Sequence, residues 1–212
     1  MFMNFINNSS TTDKLSVQEI VLTANTGADA IRKAPIVDYD TGIRCVRVGD
    51  MSNKRSFHDW GFAKVSKEVF DRYQLHKYDI LVTRTASIGL NMIVLDDLKA
   101  VYNNGLIRLS IDGKKALPLF IYRQFQTQDF SNYIARIESE TSVRPNMKIN
   151  YLLQYKFEMP SLEEQQNFIS LLETMIKNQK VLRTENNSLI SLRDALLPKL
   201  MSGEIDVSKI TI

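Results

Sequence analysis

Hydrophobic and polar positions follow two regimes along the chain. Between Leu15 and Met159 the apolar residues come in short runs broken by turn formers, whereas from Ser161 to Leu197 they recur at helical spacing with no Gly or Pro. In the first regime Ile43–Val48, Asp79–Arg84, Asn91–Leu95, Leu106–Ile111 and Tyr155–Met159 predict strands. Thr85–Leu90 and the Asn103-Asn104-Gly105 turn link consecutive strands, and Ala24–Ala28 predicts a loop. Gly49–Gly61 shows no period and predicts a long polar connection. Ser66 is placed to cap a short helix through Tyr73. Pro118 opens a helical pair, Leu119–Gln126 and Phe130–Ile137, with Phe120, Phe125, Phe130 and Tyr133 expected in the core.

The second regime predicts one long helix. Pro160 ends the preceding segment, and Ser161-Leu-Glu-Glu164 sets a capping hydroxyl three residues before a carboxylate that can reach back to it. Pro198 is expected to stop the helix, with Gly203 closing the tail. At a rise of about 1.5 Å per residue the element is roughly 55 Å long, which suits a spacer. Steps of four and three place Phe168, Leu172, Met175, Gln179, Leu182, Asn186, Leu189, Arg193, Leu196 and Leu200 on one face. This is a coiled-coil seam whose polar members restrict register and partner. Ile169, Leu171, Ile176, Val181 and Ile190 widen the stripe, so a partner helix or a flanking domain is expected to cover it. The fold class is therefore α+β: a flexible leader over 1–14, a mixed α/β domain over 15–160, a long coiled-coil helix over 161–200 and a tail over 201–212.

Composition narrows the function. A hydrophobic content of 44% supports a real core, and the single cysteine, Cys45, sits in a predicted strand and reads as a buried structural thiol. No apolar run approaches the roughly 20 residues of a membrane span, and the start lacks a basic, then apolar, signal segment, so a soluble cytoplasmic protein is expected. Formal charge is only +3, and its excess lies ahead of the long helix, concentrated in Arg44–Lys77 and, without any acid, in Thr141–Lys156. Clustered cations beside polar and aromatic residues suit a phosphate backbone, although a solvated surface accounts for them equally well. Catalytic signatures are missing: there is no Walker-type loop, no Rossmann glycine pattern, no Cys/His spacing for zinc and no Asn/Asp-Pro-Pro-aromatic segment. His58 and His76 have no evident partner. No cofactor and no metal are expected, and the chain reads as a recognition element.

Four segments together resemble the specificity subunit of type I restriction-modification systems. They are Tyr73–Gly89, around Tyr78-Asp-Ile-Leu81; Ser142–Lys148; Phe157–Gln166, with its Pro160-x-x-x-Glu164-Gln165 pattern; and Leu192–Asp206. Tyr78 and Ala86 stand where that family often has Gly. The resemblance implies a non-catalytic subunit made of target recognition domains, each reading half of a split site in double-stranded DNA, and conserved helices that separate them. The helices also dock modification (methyltransferase) subunits, which bring S-adenosylmethionine, with restriction subunits added.

The usual subunit has two domains and two helices, and this chain has one of each. It is either a half-length subunit that dimerises through its helix, the reading preferred here, or the C-terminal half of a longer parent. A two-fold dimer implies a palindromic, interrupted site. A coiled-coil adaptor without DNA binding is the competing reading. The candidate DNA contacts are Lys54, Arg55, His58, Trp60, Arg84, Thr85, Ser87, Asn103, Asn104, Arg144, Asn146 and Lys148, with Arg84 and Arg144 foremost. The candidate dimerisation contacts are Phe168, Leu172, Met175, Gln179, Leu182, Asn186, Leu189 and Leu196.

Overall fold

The computed structural model describes residues 12–29, 32–140 and 146–204, with the side chains of 12, 13, 140, 171–176 and 180 outside that description. The chain divides into two units, Met1–Gln166 and Asn167–Ile212.

The first unit opens with β1 (Thr12–Ser16), α1 (Val17–Ile20), β2 (Val21–Thr26), β3 (Ile36–Val37), β4 (Arg44–Val46), α2 (Val48–Ser52) and a 3-10 turn over Phe57–Asp59. It continues with β5 (Gly61–Ala63), α3 (Lys67–Tyr73), β6 (Ile80–Thr83), β7 (Asn91–Ile93), β8 (Ala100–Tyr102) and β9 (Leu106–Ile111). Last come α4 (Pro118–Gln124), α5 (Gln128–Glu140), α6 (Ile149–Leu153), β10 (Lys156–Pro160) and the start of α7 (Leu162–Met201). Two four-stranded sheets run in the orders β2-β9-β6-β7 and β3-β5-β4-β8, and β1 pairs β10 in a separate ribbon. All pairings are antiparallel except β4 with β8.

Burial explains why some strands stand out in the sequence. Every residue of β6 is buried, so its run opens Ile-Leu-Val without alternation, and the one polar member, Thr83, has its hydroxyl bonded to the Ser87 carbonyl. Leu81 joins Cys45, Val46, Trp60, Ala63, Tyr73, Val101, Tyr102 and Leu106 in a core supplied by both sheets. Ile80 and Val82 point to the other face. Phe120, Phe125 and Phe130 are buried as their pattern predicts. Tyr133 is half-buried and donates its hydroxyl to the Tyr151 carbonyl at 2.6 Å. Tyr155 is ringed by Phe125, Phe130, Tyr133 and Phe157, and its hydroxyl donates to Asp129 at 2.7 Å. Burial of Cys45 pushes its thiol up to about 12.

Three expectations are corrected. First, Gly49–Gly61 is not one long loop, since it holds most of α2 and the 3-10 turn. Asp50, 1% exposed, organises it by accepting from the Arg47 N–H at 2.9 Å, from Arg47 Nε at 3.2 Å and from Arg55 Nη1 at 3.2 Å. Second, Ala24–Ala28 is largely strand, because β2 runs to Thr26 against β9. Third, α7 does not stop at Pro198 but includes it and continues to Met201. Proline removes its own bond to the carbonyl four residues back and its ring crowds that carbonyl, and near the end of an exposed helix the carbonyl can tilt outward to water. The helix stops where Gly203 adopts φ +74 and the Ser202 N–H donates to the Pro198 carbonyl at 2.9 Å.

The start of α7 carries the predicted capping box. The Ser161 N–H and hydroxyl both donate to Glu164, at 3.0 and 2.9 Å, and the Glu164 N–H donates back to the hydroxyl at 3.3 Å. Beside it Gln165 is fully buried, donating to the Pro160 carbonyl at 2.8 Å and accepting from the Leu117 N–H at 2.9 Å. The second unit is helix to Met201, and there Val181, Leu182, Leu189, Ile190, Leu192, Leu197 and Met201 are 47–81% exposed.

Candidate nucleic-acid interface

Strand directions bring five loop-bearing ends together. Antiparallel pairing sets the end of β6 beside the start of β9, with Thr83 opposite Leu106, and the end of β2 beside the same start, with Thr26 opposite Ile107. Parallel pairing sets the ends of β4 and β8 side by side, with Val46 opposite Tyr102. The bridge between Ala28 and Asn103, the Asn103 N–H to the Val46 carbonyl at 3.1 Å and the Asn104 N–H to the Ala28 carbonyl at 2.9 Å fasten these ends across the two sheets.

The glycines here are chosen for closeness. A Cβ on Gly27 would run into the carbonyl oxygens of Tyr102 and Asn103, and one on Gly105 would lie 2.7 Å from a Val48 methyl and 3.0 Å from the Thr85 hydroxyl. Neither glycine belonged to the sequence candidates. Their position in turn segments was the only signal.

Around this edge stand several of the predicted contacts. Arg84 continues β6: its N–H donates to the Gly105 carbonyl at 2.9 Å, and its carbonyl accepts from the Met147 N–H at 2.8 Å. Its side chain donates from Nε to the Met147 carbonyl at 3.1 Å and from Nη1 to the Asn104 carbonyl at 3.2 Å. Thr85 forms an antiparallel bridge with Asn146. Asn103 accepts from the Gly105 N–H at 3.2 Å through its side-chain oxygen, so that group closes the turn. Asn104, Asn146, Lys148 and Ser87 are exposed. The loop that carries Ser87 is gathered by buried Thr83, whose hydroxyl donates to the Ser87 carbonyl and whose backbone accepts from Gly89 at 3.0 Å. Within it Ala86 has φ +59, which L-residues other than Asn and Asp rarely adopt.

The remaining candidates are placed differently. Trp60 is 3% exposed, and its indole N–H donates to the Arg55 carbonyl at 3.3 Å, which removes it from any DNA-facing set. It is core because its ring packs edge-on to Phe57, with centroids 5.5 Å apart, and no other polar demand keeps it outside. Arg55 spends its charge on buried Asp50. His58 is exposed and edge-on to Phe57, which with Arg44, Phe62 and Lys99 lines a shallow groove of about 310 Å³. It shares no bond with the Arg84 node. Lys54 is exposed with φ +52, in a turn held by its N–H to the Met51 carbonyl at 3.1 Å. Arg144 lies outside the described residues. Among the described residues, no group of His, Cys, Asp and Glu is placed to hold a metal ion, and no helix is long and apolar enough to cross a membrane.

Comparison with known proteins places the fold. A family model described as the type I restriction modification DNA specificity domain matches residues 21–190. The chain belongs to that family. Solved structures of the type I specificity family share its fold. The S subunit of a type I restriction-modification system from M. genitalium is similar with a TM-score of 0.60 and 17% identity, over 92% of this chain and 47% of that one. The HsdS subunit from Thermoanaerobacter tengcongensis is similar with a TM-score of 0.57 and 12% identity, over 96% of this chain and 52% of that one. The chain therefore spans about half the length of the solved S subunits it matches. Among curated proteins none matches it in sequence. The type I specificity fold here is the predicted one, a mixed α/β domain followed by a long helix.

Proposed function

We propose that the chain is a DNA sequence-recognition subunit of a type I restriction-modification complex, in which the domain reads one half of a bipartite site. The observation that carries this is the convergence of five strand ends on one edge, where polar side chains stand on loops fixed by backbone bonds. Base edges are read by polar groups held in place, with cations on the phosphates to set register. On this reading Asn104, Asn146 and Ser87 face bases, while Lys54 and Lys148 meet phosphates.

The long helix supplies the second half of the proposal. Leu182 and Leu189 are 60% and 55% exposed, Leu196 and Leu200 are 37% and 41% exposed, and Gln179 and Asn186 on the same face are exposed too. A second copy of the helix covers this face, with Gln179 and Asn186 selecting the register. Phe168 is already buried in the single chain and drops out of the seam, and the side chains of Leu172 and Met175 lie outside the described residues. The dimer docks methyltransferase subunits, and restriction subunits join that assembly.

Co-expression with a type I modification subunit, followed by mapping of methylated adenines, tests this. A two-fold symmetric, interrupted site is expected. An asymmetric site sinks the homodimer, and duplex binding that is weak and insensitive to salt sinks the DNA reading.

A further inference from the structure

Arg84 is bonded twice to each of its neighbouring loops. Its backbone joins the 103–105 turn through the Gly105 carbonyl and the 146–147 segment through the Met147 N–H. Its guanidinium repeats both links, to the Asn104 carbonyl at 3.2 Å and to the Met147 carbonyl at 3.1 Å. These partners lie 20 and 63 residues away in sequence. The adjoining residue, Thr85, adds a bridge to Asn146. Each loop so joined carries an exposed polar side chain: Ser87 on the first, Asn104 on the second, Asn146 and Lys148 on the third.

We infer that Arg84 is a positioning residue, whose guanidinium holds three DNA-reading loops in one mutual arrangement and does not itself contact a base or a phosphate. This rests on the DNA-reading function proposed above. The chemistry is specific to arginine. A guanidinium presents five N–H donors in a rigid plane, so two of them can meet carbonyls on different loops at once, and it stays charged. A lysine ammonium keeps the charge but sits on a flexible stem and does not reproduce the fixed fork. The side chain is half-buried, and its two described acceptors are main-chain carbonyls, so what it restrains is backbone.

The roles separate cleanly in experiment. A base reader loses preference at one position, a phosphate contact weakens all sequences alike and lowers the salt slope by about one, and a brace disturbs several positions at once. The full chain and its R84K, R84Q and R84A variants are each used to enrich duplexes from a randomised DNA pool at low salt. Each is then titrated on the enriched duplex and its single-base variants over a salt series, and amide exchange is measured without DNA. Wild-type protein is expected to enrich a defined half-site. R84K and R84A are both expected to flatten preference at two or more neighbouring positions by on the order of tenfold, to leave the salt slope unchanged, and to speed exchange of the amides of residue 84 and Met147, which donate across the two links.

Wild-type selectivity in R84K, with a lower slope in R84A, assigns a phosphate contact and overturns the proposal. Loss at a single base pair with unchanged amide exchange assigns a base contact and also overturns it. If R84A does not fold, R84K and R84Q decide between the same outcomes. Failure of wild type to enrich any duplex overturns the DNA reading, and faster exchange in R84A would then leave Arg84 as a purely structural tie.

Discussion

The strand-end edge of the domain and the helix beyond Asn167 treat their side chains in opposite ways. At the edge Asn103 is engaged by its own turn and Arg84 by two carbonyls, and in the 47–60 segment of the same domain Asp50 is engaged by two arginines and the Trp60 indole by Arg55. Along the helix the leucines at 182, 189, 192 and 197 are each half or more exposed. The first region has settled its internal bonds and offers a few placed groups, whereas the second keeps apolar surface in reserve. In the function proposed above, specificity and assembly draw on different chemistry.

Substitutions that interchange these properties test the contrast. The largest effect is expected on the helix: Leu182→Asp with Leu189→Asp introduces charge at four seam positions of a dimer, each otherwise contributing about 1.5–3 kcal/mol on burial. Sedimentation should show self-association abolished, with the domain's own unfolding transition unmoved; a persisting dimer would place the interface elsewhere. Next, Trp60→Ala should destabilise the domain by about 3–5 kcal/mol in denaturant unfolding, as removal of a core aromatic does. Near-wild-type stability with lost DNA binding would instead return Trp60 to the reading surface.

Gln165→Leu leaves the Pro160 carbonyl and the Leu117 N–H without their partner. A loss of about 1–3 kcal/mol follows from one stranded buried carbonyl and one part-buried N–H, measurable by chemical denaturation. The smallest effect is expected at Ala86→Gly. Its φ of +59 is easy for glycine, so the strain of about 1–2 kcal/mol is relieved and mostly offset by the entropy glycine loses on folding. A gain of about 0–1 kcal/mol is expected, and a clear loss would mean that the methyl group is packed.

What could be read from the sequence depended on element length and on how local the cause was. β6 and β9, buried on both faces or nearly so, and the helices opened by Ser66 and Pro118 carry their signals within a few residues. β3, β5 and β8 are two or three residues long, too short for any period, and exist only because neighbours pair with them. The five-residue helices α2 and α6 failed to show for the same reason. At the candidate interface, the family resemblance together with charge pointed to Arg84 and Thr85, and turn composition to Asn103 and Asn104. That Arg84 is tied to Asn104 and Met147, and that Trp60 lies in the core, depends on residues brought together by the fold, for which the local sequence carries no sign.

Cys45 has a practical use. It is the only cysteine, fully buried, and its thiol is pushed up to about 12, so at neutral pH it is protonated and shielded from alkylating reagents. A cysteine introduced at Gln179 or Asn186 would be the sole thiol open to cross-linkers and spin labels. The protein is in effect already prepared for testing whether two copies of its helix pair as proposed, and in which direction.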